Sequence, residues 1–243
     1  MKVAPERVDP FAGRRRTALC GCIALFVVMA WPQVALAAHQ YTGGAHGYPA
    51  NANWYTWGTE QFIETRIPDY ESPYGGNAEY VSEVNADGTD DIAQIGVAYV
   101  GSTFQRPWYF YEFESDNGYP GGAHYFGGAP VNGVSHRYTM YENQGSPTSG
   151  LWIGLIDLNE VVHTGASNLG WSPNAVQHFG EIQTTADYFS GRATNHCSFD
   201  SDRWMDANQG WHGGLLYQAH IGSLGLNDIS GGVGSYTIWD SRS

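Results

Sequence analysis

Lysine is absent from this chain beyond its second residue. Residues 1–37 hold Lys2, Arg7, Arg14, Arg15 and Arg16, five of the 11 basic side chains, but only Glu6 and Asp9 of the 24 acidic ones. The rest of the chain keeps six arginines against 22 carboxylates, a formal charge of −16. Nucleic acid and anionic membrane surfaces both select a basic patch, so neither is expected as a partner. Such a charge is compatible with work at acid pH, where many carboxylates are neutral. Cysteine is nearly as scarce. Cys20 and Cys22 lie near the start, and Cys197 is the only other one. A chain shorn of its first 37 residues can form no intramolecular disulfide, so its stability must come from a packed core. Leucine is sparse. No ten-residue stretch shows a clean helical period with caps. There are no internal repeats and no linker.

Missing motifs narrow the chemistry further. No H-E-x-x-H or H-x-x-x-H spacing occurs, and His124, His136, His178 and His196 fall on separate segments, so no metal site is expected. There is no G-x-S-x-G elbow. Gly127-Gly128 and Gly231-Gly232 lack the lysine and helix of a phosphate loop. No cofactor is implied.

The opening segment is an export leader in form. Arg14, Arg15 and Arg16 make a positive n-region, Thr17 to Trp31 an apolar run, and Ala35-Leu36-Ala37 a cleavage signal. The apolar run is short for a membrane span. The expectation is a signal peptide over 1–37, a secreted mature chain beginning near Ala38, and no membrane attachment after cleavage. The arginine run hints at twin-arginine export.

About 205 residues then remain, enough for one sizeable core. Aromatic residues are plentiful and glycines are scattered, a globular β composition. Alternation or high β-propensity marks strands over Ala78–Val84, from Ile92, over Trp108–Glu114, His136–Asn143, Leu151–Leu158, Ala175–Thr185, Arg192–Trp204 and Ser235–Trp239, with a short one between Trp57 and Pro68. The stretch 38–58 has no period and reads as an N-terminal arm. Asn85 to Asp90 reads as a tight turn; its neighbouring Asp87, Asp90 and Asp91 are a lesser candidate for calcium. The fold predicted is a single all-β domain over 38–243, two packed antiparallel sheets in a sandwich, and a monomer is expected.

One residue interrupts the pattern. In Ile92-Ala93-Gln94-Ile95-Gly96-Val97-Ala98, Gln94 is a polar amide on a face where Gly96 and Ala98 leave room beside it. A buried amide must find partners or meet a ligand. Gln94 is therefore either a core amide bonded to neighbouring backbone or part of a cleft left open by the small residues.

Three segments resemble the glutamic peptidases of the eqolisin and neprosin types. Ala93-Gln94-Ile95-Gly96-Val97, followed by Trp108-Tyr109-Phe110-Tyr111, is similar to a Leu-Gln-Thr-Gly-Val string and a later Trp-Tyr-Glu-Trp string of eqolisins. The hairpin from His136 to Val162 is similar to one of the neprosin type, with Asp157-Leu158-Asn159 in place of a Gly-Asp-Gly turn. Val176-Gln177-His178-Phe179-Gly180-Glu181 resembles segments in which two glutamates stand four residues apart. The resemblance spans roughly Ala78 to Phe199. It implies a lectin-like jelly-roll sandwich and peptide hydrolysis at acid pH, with Gln94 polarising the scissile carbonyl. The first glutamate of the third segment, the catalytic one by resemblance, is Gln177 here, and the second is kept as Glu181. Glu181 is then the candidate base, Gln177 a second cleft amide, and Trp108 and Phe179 the cleft walls. Whether Gln94 meets Gln177 or Glu181 depends on strand register.

Two other classes stay open. A sandwich rich in Trp and Tyr suits non-catalytic binding of a peptide or glycan by stacking. Glu112, Glu114 and Asp116 alternate on one face of a strand, as the paired carboxylates of some jelly-roll glycosidases do, although Asp116-Asn117-Gly118 also reads as a turn. Glu181 is equally readable as a solvated or arginine-paired strand residue.

Overall fold

The computed structural model describes residues 41–47, 55–68, 76–84, 91–100, 106–115, 119–143, 151–164, 173–214, 217–221, 225–232 and 234–243. The chain divides into two units, Met1–Pro32 and Gln33–Ser243, and all described residues belong to the second. The leader, the turn with Asp87 and Asp90, and Asp116 lie outside the described residues.

Every regular element described is a strand. In chain order they are β1 (Tyr41–Gly47), β2 (Gly58–Glu64), β3 (Gly76–Val84), β4 (Ile92–Val100), β5 (Trp108–Ser115), β6 (Tyr119–Pro120), β7 (His124–Phe126), β8 (Ser135–Asn143) and β9 (Leu151–Ile156). Then come β10 (Asn159–His163), β11 (Ala175–Ile182), β12 (Gly191–Arg192), β13 (Asn195–Met205), β14 (Trp211–His212), β15 (Tyr217–Ile221), β16 (Asn227–Gly232) and β17 (Ser235–Asp240). The first sheet runs β15-β1-β11-β3-β4-β5-β6, with β7 also paired to β5. The second runs β10-β9-β8-β2-β13-β17-β16, with β12 and β14 also paired to β13. All pairings are antiparallel. The two-sheet antiparallel sandwich expected from sequence is the fold observed.

Periodicity gave no sign of β1, β15 or β16. Tyr41–Gly47, with three glycines in seven residues, sits between β15 and β11 inside the first sheet. β15 and β16 similarly lack alternation and owe their state to their neighbours. In each case the ladder partner, not local propensity, decides the conformation.

The main core lies between the sheets. Val81, Ala93, Ile95, Val97 and Val176 from the first sheet meet Ile63, Tyr138, Met140, Trp152, Phe199 and Ile238 from the second. These are the alternate positions of each strand, as a half-buried pleat requires. A second apolar cluster covers the other face of the first sheet: Ala78, Tyr80, Ala98, Val100, Phe110, Ala123 and Phe179, with Trp108 and Tyr125 packed against it. The first sheet is thus buried on both faces, and all nine residues of β3 are buried.

The sequence of β3, Gly-Asn-Ala-Glu-Tyr-Val-Ser-Glu-Val, is half polar, so its burial puts ionisable groups in the interior. Glu79 and Glu83 point between the sheets with Val81. Burial pushes the Glu79 carboxyl up to about 8, against the opposing effect of a hydrogen bond with Ser190. Burial likewise raises Glu83, whose carboxylate accepts from the Thr56 hydroxyl. His178, on the inner face of β11, bonds the Thr59 hydroxyl through Nε2, and burial drives its pKa down to about 3. These groups are neutral over a wide pH range because ionising them in the interior is costly. Gln61 on β2 is fully buried, and neither its amide nitrogen nor its amide oxygen has a partner among the described residues.

β9 and β10 are joined by the two-residue turn Asp157-Leu158. Both residues have positive φ, +50° and +67°, where glycine or asparagine is usual. The Asp157 carboxylate compensates locally: it accepts from Arg137 N at 2.9 Å and bonds His136 Nδ1 at 2.7 Å.

Candidate active site

The strand registers place Gln94 unambiguously. Gln94 on β4 stands opposite Ser82 on β3, and Ser82 stands opposite Gln177 on β11. On the other flank Gln94 stands opposite Glu112 on β5. Gln177, Ser82, Gln94 and Glu112 therefore form one polar row across four neighbouring strands. The row lies on the outer face, because the intervening residues Val176, Val81, Ala93 and Phe113 belong to the inter-sheet core.

Parallel to it, two residues along, runs the row Phe179–Tyr80–Gly96–Phe110. Tyr80 meets Phe110 and Phe179 edge-on, with ring centroids 6.3 and 6.5 Å away. The expectation that Gly96 opens a cleft beside Gln94 fails here. A Cβ on Gly96 would lie 2.0 Å from the Glu79 carbonyl oxygen and 2.7 Å from Tyr80 Cα. Gly96 permits close approach of β3 to β4, and the aromatic row occupies the space above it.

Two residues further along comes the row Glu181–Ala78–Ala98–Trp108. Glu181 is buried, and its Oε2 accepts from the Tyr80 hydroxyl at 3.0 Å. Burial, reinforced by this carboxylate, raises the Tyr80 phenol well above its ordinary range, so Tyr80 acts as the donor. Trp108 is partly buried, with the Arg106 guanidinium 4.9 Å from its ring centre.

All five residues singled out from sequence, Gln94, Gln177, Glu181, Trp108 and Phe179, share this outer face. They are not all brought together. Glu181 is four residues along and two strands across from Gln94, which ordinary strand spacing makes about 16 Å between backbones. Gln177 is in the Gln94 row but separated from it by Ser82.

The carboxylate that does meet Gln94 is Glu112. Gln94 Nε2 donates to Glu112 Oε2 at 2.7 Å. Gly122 N donates to the other oxygen, Oε1, at 2.6 Å. Both Gln94 and Glu112 are buried, and Gln94 Oε1 has no partner among the described residues. Gln177 Oε1, in the same row, is orphaned in the same way. Sequence reasoning did place Glu112 and Glu114 on one face. It did not see that Gln94 joins that face at Glu112, because the hairpin register between β4 and β5 is not written in either strand alone.

Glu114 lies two residues beyond Glu112 on the same face. The bend between β6 and β7 closes over both. Gly121 has a φ of +70°, and a Cβ there would fall 2.7 Å from the Glu114 carboxylate. Only glycine lets the backbone pass this close and present the Gly122 N–H to Glu112. Among the described residues no group of three or more His, Cys, Asp or Glu is arranged to hold a metal ion.

No protein-family profile and no curated protein matches this chain. Solved structures do. Scytalido-glutamic peptidase with a transition state analog inhibitor superposes with a TM-score of 0.59 at 15% identity, covering 83% of this chain and 98% of that one. The same peptidase with a peptide-based transition state analog gives 0.58 at 14% identity and the same coverage. SCP-B, a member of the eqolisin family of peptidases in complex with the tripeptide Ala-Ile-His, gives 0.55 at 12% identity, again over 83% and 98%. These likenesses show a shared glutamic-peptidase-like β-sandwich fold.

Proposed function

We propose that the protein is a secreted endopeptidase of glutamic type, acting on extended polypeptides at acid pH across the outer face of the first sheet. The observation that carries this reading is the buried Gln94 amide, bonded to a carboxylate, on that face of a sandwich shared with glutamic peptidases. Peptide hydrolysis needs one group to take a proton from water and return it to the leaving amine, and a donor for the oxyanion. An amide beside a carboxylate supplies both. Trp108, partly buried and four residues along the same face, would hold an apolar substrate side chain, whereas Phe179, expected as a cleft wall, is fully buried in the apolar cluster beneath.

Acid operation is supported by the interior. Burial favours the neutral forms of Glu79 and Glu83, which acid pH preserves, while buried His178 acts in the opposite direction as pH falls towards 3. The leader-like pattern of residues 1–37 and the charge of −16 beyond it fit the same setting.

The test is hydrolysis of a denatured protein from pH 2 to 7. Cleavage confined to the acid side, and lost in Gln94→Ala, is the expected result. No cleavage at any pH sinks the reading. Gln177, standing where the resemblance has a glutamate, favours a second reading, binding of peptide or glycan without hydrolysis. Retention on immobilised peptide or glycan without cleavage is its signature.

A further inference from the structure

The peptidase reading leaves open which carboxylate does the chemistry. Among the described residues, three stand on the outer face of the first sheet: Glu112, Glu114 and Glu181. Glu181 is committed to Tyr80 and lies two strands from Gln94. Gln177 has the right row but carries an amide, which cannot take a proton from water at any useful pH. Glu114 is one step along β5, under Gly121.

We infer that Glu112 is the general base and acid of this site, so that the carboxylate partner of Gln94 stands on β5 and not on β11. This rests on the peptidase reading. Three observations carry it. Glu112 accepts directly from Gln94 Nε2 at 2.7 Å, which sets a carboxylate beside the candidate oxyanion donor. Gly122 N fixes the other carboxylate oxygen at 2.6 Å, through a bend that Gly121 alone allows. Gln177, Ser82, Gln94 and Glu112 lie in one cross-strand row, in which Glu112 is the carboxylate adjacent to Gln94.

The donor inventory sets the course of the reaction. The Glu112 carboxylate takes a proton from water as the water oxygen bonds the scissile carbonyl carbon. The carbonyl π-electrons move to oxygen, and that oxyanion accepts from the second N–H of Gln94, the first being held by Glu112. The tetrahedral species collapses, the C–N bond breaks, and the Glu112 proton passes to the leaving nitrogen. The products are a carboxylic acid and an amine, and Glu112 is again a carboxylate. Gln94 is thereby both donor to the base and donor to the oxyanion. Gly122 is a positioning residue for the base.

The experiment compares wild type, Glu112→Gln, Glu112→Asp and Glu181→Gln on a denatured protein substrate from pH 2 to 7, with Glu160→Gln as an exposed control on β10. Thermal melting is followed for each. Glu112→Gln is isosteric and is expected to melt within a few degrees of wild type while losing at least 100-fold in kcat, with little change in KM. Glu112→Asp withdraws the carboxylate by one methylene and is expected to lose more than tenfold and to move the acid limb of the pH profile; it decides the matter if Glu112→Gln does not fold. An active wild type with full activity in Glu112→Gln, or in Glu112→Asp with an unmoved profile, overturns the assignment and leaves the peptidase reading standing. Loss in Glu181→Gln with Glu112→Gln still active does the same and returns the base to β11. A wild type inactive at every pH overturns the peptidase reading and the assignment with it.

Discussion

Each sheet carries a buried glutamate on its outer face, and the two are partnered in opposite ways. On the second sheet, Glu60 is 3% exposed. It accepts from Arg137 Nε at 3.0 Å and from Arg203 Nη1 at 2.8 Å, with Thr139 behind. On the first sheet, Glu112 is 4% exposed and accepts from the Gln94 side-chain amide and the Gly122 backbone. Two guanidinium groups balance the charge of Glu60, which suits a structural anchor between β2, β8 and β13. Glu112 is met by amide donors from Gln94 and Gly122, which orient its two oxygens. Identity and burial are the same; the donors make the difference in what each can do.

Between the sheets the logic is different again, and the largest expected effect is there. Glu79 is raised from 4.5 to about 8, so the folded chain holds more protons than the unfolded one. Its contribution is complete below pH 4.5 and is lost as pH rises through 8, a change of about 5 kcal/mol at the full shift. Glu83 acts in the same direction. His178 is lowered from 6.5 to about 3, so its contribution is present above pH 6.5 and is lost as pH falls through 3. For these three groups the opposing slopes cancel where each glutamate is half ionised in the unfolded chain, near pH 4.5. Denaturant melts from pH 3 to 9 should show greatest stability near that value and a fall on the alkaline side. Glu79→Gln should flatten the alkaline limb; an unchanged limb would remove Glu79 from the account.

The next effect separates the two outer faces. Gln94→Ala should lower kcat by about 10²- to 10³-fold, equivalent to about 3–4 kcal/mol of barrier, the usual result of removing an oxyanion donor. Glu60→Gln should leave kcat within about twofold. The reverse holds for stability. Glu60→Gln strands two arginines and should cost about 2 kcal/mol, less than a fully buried pair because Arg203 is substantially exposed. If Glu60→Gln abolished hydrolysis at unchanged stability, the two glutamates would have been assigned the wrong way round. The smallest effect concerns Glu181. Tyr80→Phe removes the hydroxyl that Glu181 accepts from and should cost about 1–2 kcal/mol in a chemical melt.

Much of the sandwich was legible in single segments. Ile92–Val100, Leu151–Ile156 and Ala175–Ile182 alternate or concentrate β-branched and aromatic residues, and each is a strand at close to the expected bounds. Tyr41–Gly47 was not legible, because a glycine-rich strand between two neighbours is held chiefly by their ladders, with Ala45 packed in the inter-sheet core. The site divides along the same line. Gln94 was conspicuous as an amide among apolar residues, and Glu112 and Glu114 as alternating carboxylates. Their union at 2.7 Å was not, because a one-residue slip of the β4–β5 hairpin would have put them on opposite faces.

Composition and alternation by themselves determined the all-β class, the acidic charge of the chain and the residues with unexplained polarity, since each is a property of single segments and their own side chains. Only the tertiary structure decided that Gln94 meets Glu112 and not Glu181, that Gly96 closes a space it was expected to open, and that Glu79 and Glu83 are interior. Those outcomes depend on register and on which face of a sheet is covered, and both are set by contacts between segments far apart in the chain.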